Sequence, residues 1–213
     1  MPLYLTEDEI AELLTPRDAL DAVEACFIRQ ARGAIENKPR TRIQLEDGVF
    51  ALMAATDSEL RLAGLKSYVW APAGTPFVVV LFDVERAELA AVIEADKMGQ
   101  LRTGAASGVA AAHLAKPNAA TLGVIGCGWQ AETQVACIRE AVPTIERVVA
   151  YCRNEPRLEE FCKRVGDEAA ETHREAGEQA VVVTVTTSKD PVLRGEWLQP
   201  GALVCAVGAN EPT

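Results

Sequence analysis

The chain has 213 residues, enough for one large or two small domains with a real core. Apolar residues make up 49% and aromatics only 5%, so the core is expected to be aliphatic. The net charge of -10, from 31 acidic and 21 basic residues, argues against a nucleic-acid surface, and no apolar run is long enough to cross a membrane. The acidic start, M-P-L-Y-L-T-E-D-E, has no basic region ahead of an apolar stretch, so no signal peptide is expected.

Thr6-Glu7-Asp8-Glu9 reads as a capping box, which predicts a short helix to about Leu14. Thr15 then caps a second helix with Pro16 at its first position. Leu20, Val23, Phe27 and Ala31 mark its expected buried stripe, and Gly33 ends it. Short β-like runs follow: Arg40 to Leu45, a turn at Glu46-Asp47-Gly48, then Val49 to Ala55, Leu62 to Trp70, Phe77 to Phe82 and Leu89 to Ala95. These predict a mostly antiparallel sheet. Asp96 opens a long helix to about Ala115, whose small residues let another element pack very close. Lys116-Pro117-Asn118 breaks it. The domain boundary is placed there, giving an N-terminal α+β domain over 1–116 and a second domain over 117–213.

Leu122, Val124 and Ile125 form an apolar run suited to a buried parallel strand. Gly126, Gly128 and Ala131 follow at the spacing G-x-G-x-x-A, and Glu132, Val135, Ile138 and Arg139 continue with a helical period. In a dinucleotide-binding fold Gly126 makes the tight turn. Gly128 lets the backbone approach a pyrophosphate, and Ala131 lets the helix sit close to the strand. Trp129 and Gln130 open the helix, whose free N–H groups and positive dipole end face the phosphates. The bland reading is a strand-turn-helix that needs small residues for packing. Val148 to Cys152, a helix from Glu155 to about Glu171, Val181 to Thr187 and Ala202 to Val207 complete the alternation. The predicted class is α/β, with a Rossmann-type parallel sheet.

NAD-preferring folds carry an acid near the end of the second strand. Here that strand ends in Arg153-Asn154, with no carboxylate before Glu155. The guanidinium suits a 2′-phosphate, so NADP(H) is favoured and NAD(H) remains open; a solvent-facing arginine is the plain alternative. Thr187 and Ser188, at the end of a parallel strand, are expected near the nicotinamide, or are merely a polar loop start. The six cysteines include no C-x-x-C pair, and there are two histidines, His113 and His173. No metal site is expected, and free thiols fit a reducing cytoplasm.

Three stretches carry a more specific signal. They are L-R-T-G-A-A-S-G-V-A-A from Leu101, G-V-I-G-C-G-W-Q-A from Gly123, and P-V-L with G-E-W-L and P-G-A from Pro191. In this order and spacing the chain closely resembles the ornithine cyclodeaminase / mu-crystallin family. The family also holds alanine dehydrogenases and reductases of ketimines, Δ1-pyrroline-2-carboxylate and Δ1-piperideine-2-carboxylate. The resemblance implies an N-terminal domain that dimerises and binds substrate, beside a Rossmann domain. It also implies a further C-terminal part beyond Gly208-Ala209-Asn210 that this sequence lacks. Carried over by motif, Arg40 (in K-P-R-T-R), Lys66 (in G-L-K) and Arg102 (in L-R-T) would hold the substrate carboxylate. Arginine grips a carboxylate bidentately, and a lysine among apolar residues can be tuned as a proton donor, which makes Lys66 the catalytic candidate. Arg42 is a neighbour easily confused with Arg40.

Two departures steer the reading. Where cyclodeaminases have a glutamate for the distal amine, this sequence has Ala51; where they have a catalytic aspartate, it has Asn210. Asparagine cannot act as a carboxylate base. The expected activity is therefore NAD(P)H-dependent reduction of the C=N bond of small cyclic imino acids, in a cytoplasmic homodimer. Alternatives are an alanine-type amino-acid dehydrogenase and a non-catalytic, crystallin-like NADPH-binding protein.

Overall fold

The structure is a computed structural model that describes residues 1–166 and 168–208. Asn210 lies outside the described residues. The chain forms two compact units, Met1–Thr15 with Asp21–Gly99, and Pro16–Leu20 with Gln100–Thr213. The division falls inside helix α3 (Asp96–Leu114), whereas the composition break at Lys116-Pro117-Asn118 comes just after that helix ends.

The first unit is built on a seven-stranded sheet. Its strands are β1 (Leu3–Leu5), β2 (Ile35–Asn37), β3 (Thr41–Leu45), β4 (Gly48–Asp57), β5 (Leu62–Trp70), β6 (Phe77–Asp83) and β7 (Glu88–Glu94). The order is β1-β7-β6-β5-β4-β2, with β3 also pairing β4. All pairs are antiparallel except β1 with β7. Helix α1 (Glu7–Leu13) starts on the expected reciprocal cap: the Thr6 amide donates to Glu9 Oε2 at 2.9 Å, and the Glu9 amide to Thr6 Oγ1 at 3.4 Å. Helix α2 (Pro16–Ala31) starts at the predicted proline, and Gly33 follows it with φ of 79°. Its predicted stripe is only partly buried: Leu20 is covered, together with Ala19, while Phe27 is exposed. Strands β1 and β2, three residues each, have no sequence period long enough to announce them.

The second unit holds a five-stranded sheet of β8 (Thr121–Ile125), β9 (Arg147–Tyr151), β10 (Glu168–Ala169), β11 (Val181–Thr184) and β12 (Leu203–Ala206). The order is β10-β9-β8-β11-β12 and every pair is parallel, the doubly wound arrangement. Helices α4 (Trp129–Ala141) and α5 (Glu155–Val165) share one core with Leu122, Val124, Val148, Ala150, Val181 and Val183. A second cluster joins Ile125, Val149 and Val182 to Ala176 of the short helix α6 (His173–Gly177), so the sheet is covered on both faces. Helix α5 is shorter than the predicted span to Glu171. Gly166 takes the left-handed conformation, φ 72° and ψ 44°, and its amide closes the helix on the Cys162 carbonyl. That early stop frees the chain for β10 and α6.

The small residues of α3 serve close packing within the second unit. A Cβ on Gly104 or Gly108 would collide with the backbone of Thr133 or Cys137, one turn apart on α4. The Thr133 hydroxyl donates to the Gln100 carbonyl at 3.0 Å across the same contact.

Candidate functional sites

The sheet order places the strand ends of β8 and β11 side by side with connections leaving in opposite directions. Ligands of doubly wound sheets bind in the crevice that this creates. A cleft of about 500 Å³ lies there, floored by Ile125, Gly126, Cys127 and Gly128. Tyr151, Cys152, Arg153, Asn154 and Arg157 form one wall, with His173 beside them. Val185 through Ser188, with Asp190 to Val192, form the other.

The glycine turn is sterically required. Gly126 has φ of 111°, and a Cβ there would run into the Val185 carbonyl. Its amide donates to the Tyr151 carbonyl at 2.8 Å, which ties the turn to β9. Gly128 is the N-cap of α4 and offers no side-chain hydrogen bond; the Ala131 amide turns back to the Gly128 carbonyl at 2.9 Å, and the Trp129 and Gln130 amides at the start of the thirteen-residue helix are left for another acceptor. A cleft of this size, a glycine turn and an uncapped helix end fit a dinucleotide pyrophosphate.

Six of the nine residues expected at the cofactor line this cleft: Gly126, Gly128, Arg153, Asn154, Thr187 and Ser188. Trp129, Gln130 and Ala131 do not. Trp129 is exposed at the helix start, and Ala131 is fully buried against the sheet. The Gln130 Oε1 is buried with no hydrogen-bond partner among the described residues. Asn154 has a local duty as N-cap of α5, accepting the Arg157 amide at 2.9 Å. Asn154→Ala is expected to cost about 1 kcal/mol of stability in a urea titration, the usual worth of such a cap.

Residue-level reading missed Arg157 and His173. Arg157 sits in the first turn of α5, where the helix dipole disfavours a cation, and that was the available signal. Neither Arg153 nor Arg157 forms an ion pair with another described residue, and both are exposed. Cys127 and Cys152 meet at the cleft floor. Burial first, then the neighbouring Cys152 thiol, push the Cys127 thiol well above its ordinary range, so it stays protonated. The Cys152 thiol donates to the Asn154 carbonyl at 3.3 Å. Among the described residues no group of three or more His, Cys, Asp or Glu side chains is arranged to hold a metal.

In the first unit, strand register gathers a second set of residues. Ala51 pairs with Tyr68 and Met53 with Lys66 across β4 and β5, and Tyr68 pairs with Phe77 on β6. Cross-strand partners point the same way, so these side chains share one sheet face. Arg40 reaches this face from the loop before β3. Its Nε donates to Met53 Sδ at 3.5 Å, and its guanidinium lies 5.9 Å from the Tyr68 ring centre. The Lys66 ammonium lies 4.5 Å from the Phe77 ring centre. Arg42, opposite Ala51, is on the same face. Ala51 is fully buried. Asp96, at the start of α3, has its carboxyl raised by burial and by the Glu7 charge, against an opposing pull from Lys66. Arg102 is exposed and is the seventh residue of α3, beyond the first turn where the dipole acts.

The fold and the cleft thus define a dinucleotide-dependent protein with a separate α+β unit. The model of the ornithine cyclodeaminase/mu-crystallin family matches residues 2–213, and the chain belongs to that family. It is 34% identical to an alanine dehydrogenase of Archaeoglobus fulgidus, over 99% of this chain and 68% of that protein. It is 30% identical to an iminosuccinate reductase of Paracoccus denitrificans, over 98% of this chain and 69% of that one. The structure of Thermococcus litoralis Δ1-pyrroline-2-carboxylate reductase in complex with NADH and L-proline superposes with a TM-score of 0.87 at 28% identity, covering 97% of this chain and 68% of that chain. The chain spans about two thirds of the length of these relatives. It stands among NAD(P)(H)-dependent oxidoreductases. Among the described residues no helix is long and apolar enough to cross a membrane.

Proposed function

We propose that the chain is an NADPH-preferring reductase of the C=N bond in small cyclic imino acids, working as a cytoplasmic homodimer paired through its first unit. The observation that carries the substrate class is the shared sheet face of the first unit. It offers three cations, Arg40, Arg42 and Lys66, among Met53, Tyr68, Phe77 and the small Ala51. Such a face suits a carboxylate attached to an apolar ring. It offers no acid at Ala51 to pair with a distal amine, which disfavours a diamino-acid substrate. The pyrroline-carboxylate reductase among the relatives supports the same class, and the iminosuccinate reductase, whose substrate is an open-chain imine, supports C=N reduction beside a carboxylate.

In this reading Arg40 and Lys66 hold the carboxylate, and Lys66 supplies the proton to the imine nitrogen. The nicotinamide, when bound, supplies the hydride. Thr187 and Ser188 stand at the strand end where its ring belongs. Arg153 takes the 2′-phosphate and so sets the preference for NADPH.

The test is NADPH oxidation with Δ1-piperideine-2-carboxylate and Δ1-pyrroline-2-carboxylate. Lys66→Ala is expected to lower kcat by about 100-fold or more, the usual scale for a lost proton donor. Arg40→Ala is expected chiefly to raise KM. A protein that binds NADPH yet reduces neither imine overturns the reading. The alternative, amino-acid dehydrogenation, is favoured by the identity to the Archaeoglobus enzyme. It predicts turnover with pyruvate and ammonia.

A further inference from the structure

Three cationic or proton-accepting side chains converge on one wall of the cleft: Arg153 just past β9, Arg157 in the first turn of α5, and His173 at the start of α6. The two guanidiniums form no ion pair with any other described residue. His173 is half-buried, and its ring lies against Tyr151, the last residue of β9, with ring centres 4.2 Å apart and planes at 46°. The stack fixes the imidazole beside the strand end. Parallel pairing of β10 with β9 makes this neighbourhood, since it delivers α6 alongside β9 although 22 residues separate Tyr151 from His173.

We propose that His173 is a specificity residue for the cofactor, joining Arg153 and Arg157 around the 2′-phosphate and taking up a proton from solvent when that phosphate binds. The inference rests on the NADPH reading above. A 2′-phosphate carries close to two negative charges at neutral pH, more than one exposed guanidinium neutralises. Without that anion the imidazole is held below its ordinary range, by burial first and then by the Arg153 charge. An anion between the two bases reverses the second effect, because each cation then faces the phosphate as well as its neighbour.

The charges around His173 agree with this. Tyr151 comes from β9, and Arg153 and Arg157 from the segment after it, with the Cys127 and Cys152 thiols on the same cleft lining. Asp190 is the carboxylate on the cleft lining. On the element itself Arg174 is engaged with Glu178 at 2.6 Å, and Glu175 accepts the Glu171 amide at 2.7 Å. Linkage sets the sign. Binding that raises the imidazole pKa is tighter when the ring is charged, so the 2′-phosphate contribution of His173 is full at low pH and fades as pH rises through the raised value.

The test uses adenosine 2′,5′-bisphosphate as probe and adenosine 5′-monophosphate as control, with affinities from calorimetry and imidazole titrations from NMR. There are two histidines to follow, His113 and His173, and His173→Phe assigns them while keeping a ring on Tyr151. The bisphosphate is expected to raise the His173 pKa by about one unit, a tenfold effect on affinity, and the monophosphate to leave it unmoved. His173→Phe should then lose roughly tenfold in bisphosphate affinity near pH 6 and little near pH 8, on the same scale. Comparing variant with wild type at each pH cancels the phosphate's own ionisation near pH ~6. His173→Arg should keep the preference at both.

If the wild-type chain does not favour the bisphosphate, the NADPH reading falls and this inference with it. If the bisphosphate is favoured, and Arg153→Ala removes the preference, the NADPH reading stands. Should the His173 pKa then stay put and His173→Phe bind like wild type, the role of His173 is overturned alone.

Discussion

Phe161→Ala is expected to destabilise the second unit by about 3–5 kcal/mol, the range for emptying an aromatic site in a packed core. Phe161 is fully buried on α5 and belongs to the cluster that includes Val148 and Ala150 of β9 and Leu158 on its own helix. It is the largest side chain among those with essentially no exposure. The neighbouring side chains of that cluster are themselves buried and packed, so little can collapse into the vacated space. The loss is read by urea unfolding monitored at Trp129 and Trp197, both in the second unit. A domain of this size should melt roughly 10–25 °C lower for such a loss. Phe82→Ala is the control, because Phe82 is 41% exposed on β6 and should cost well under half as much. Weakened dinucleotide binding should accompany the Phe161 change, since α5 carries the Asn154 cap and Arg157 on its first turn. A loss below about 1 kcal/mol would mean that α5 is not clamped to the sheet as described.

What could be read in the residues, and what could not, divides along physical lines. The glycine turn was legible because Gly126 must take a positive φ beside the Val185 carbonyl, where a Cβ does not fit. Strand β5 was predicted over the same residues that form it, Leu62 to Trp70, a run that holds Leu62, Leu65, Tyr68, Val69 and Trp70 ahead of the Pro- and Gly-bearing loop that follows. The two-residue turn at Glu46-Asp47 before Gly48 was legible for a similar reason.

The misses are short elements whose existence depends on neighbours. Strand β10 has two exposed residues and no period, and only its pairing with β9 makes it a strand. Passing over Gly166 as a helix stop extended α5 to Glu171, and this hid α6 and with it His173. The face shared by Arg40 and Lys66 could not be read locally either. Lys66 meets Met53 through the β4–β5 register, and that register follows from pairing rather than from either strand alone. The resemblance to a family supplied those residue names; the register supplies a physical reason for Arg40 and Lys66 to act together.

Gly128→Val should leave the fold nearly intact and remove dinucleotide binding. Gly128 has φ of -80° and ψ of 179°, extended backbone that a branched residue accepts readily. A Cβ built there meets nothing within 4 Å. The glycine gives α4 no side-chain cap, so valine removes none. Glycine still ranks above valine as an N-cap, so the melting temperature should fall by a few degrees, about 5 °C at most. The open space around that Cβ lies on the cleft floor, beside the uncapped first turn of α4. Valine methyls would occupy the position a pyrophosphate needs in order to reach those amides. Affinity for NADPH and NADH alike is expected to fall by about 100-fold or more, equivalent to roughly 2.7 kcal/mol. Gly126→Val makes the contrast. Its φ of 111° and the collision with the Val185 carbonyl should cost stability as well as binding, by about 1–3 kcal/mol for the backbone alone. Fluorescence titration with NADPH, paired with a thermal melt of each variant, separates the two effects. A Gly128→Val protein that bound NADPH like wild type would move the pyrophosphate away from the glycine turn, and the 2′-phosphate roles of Arg153 and His173 would move with it.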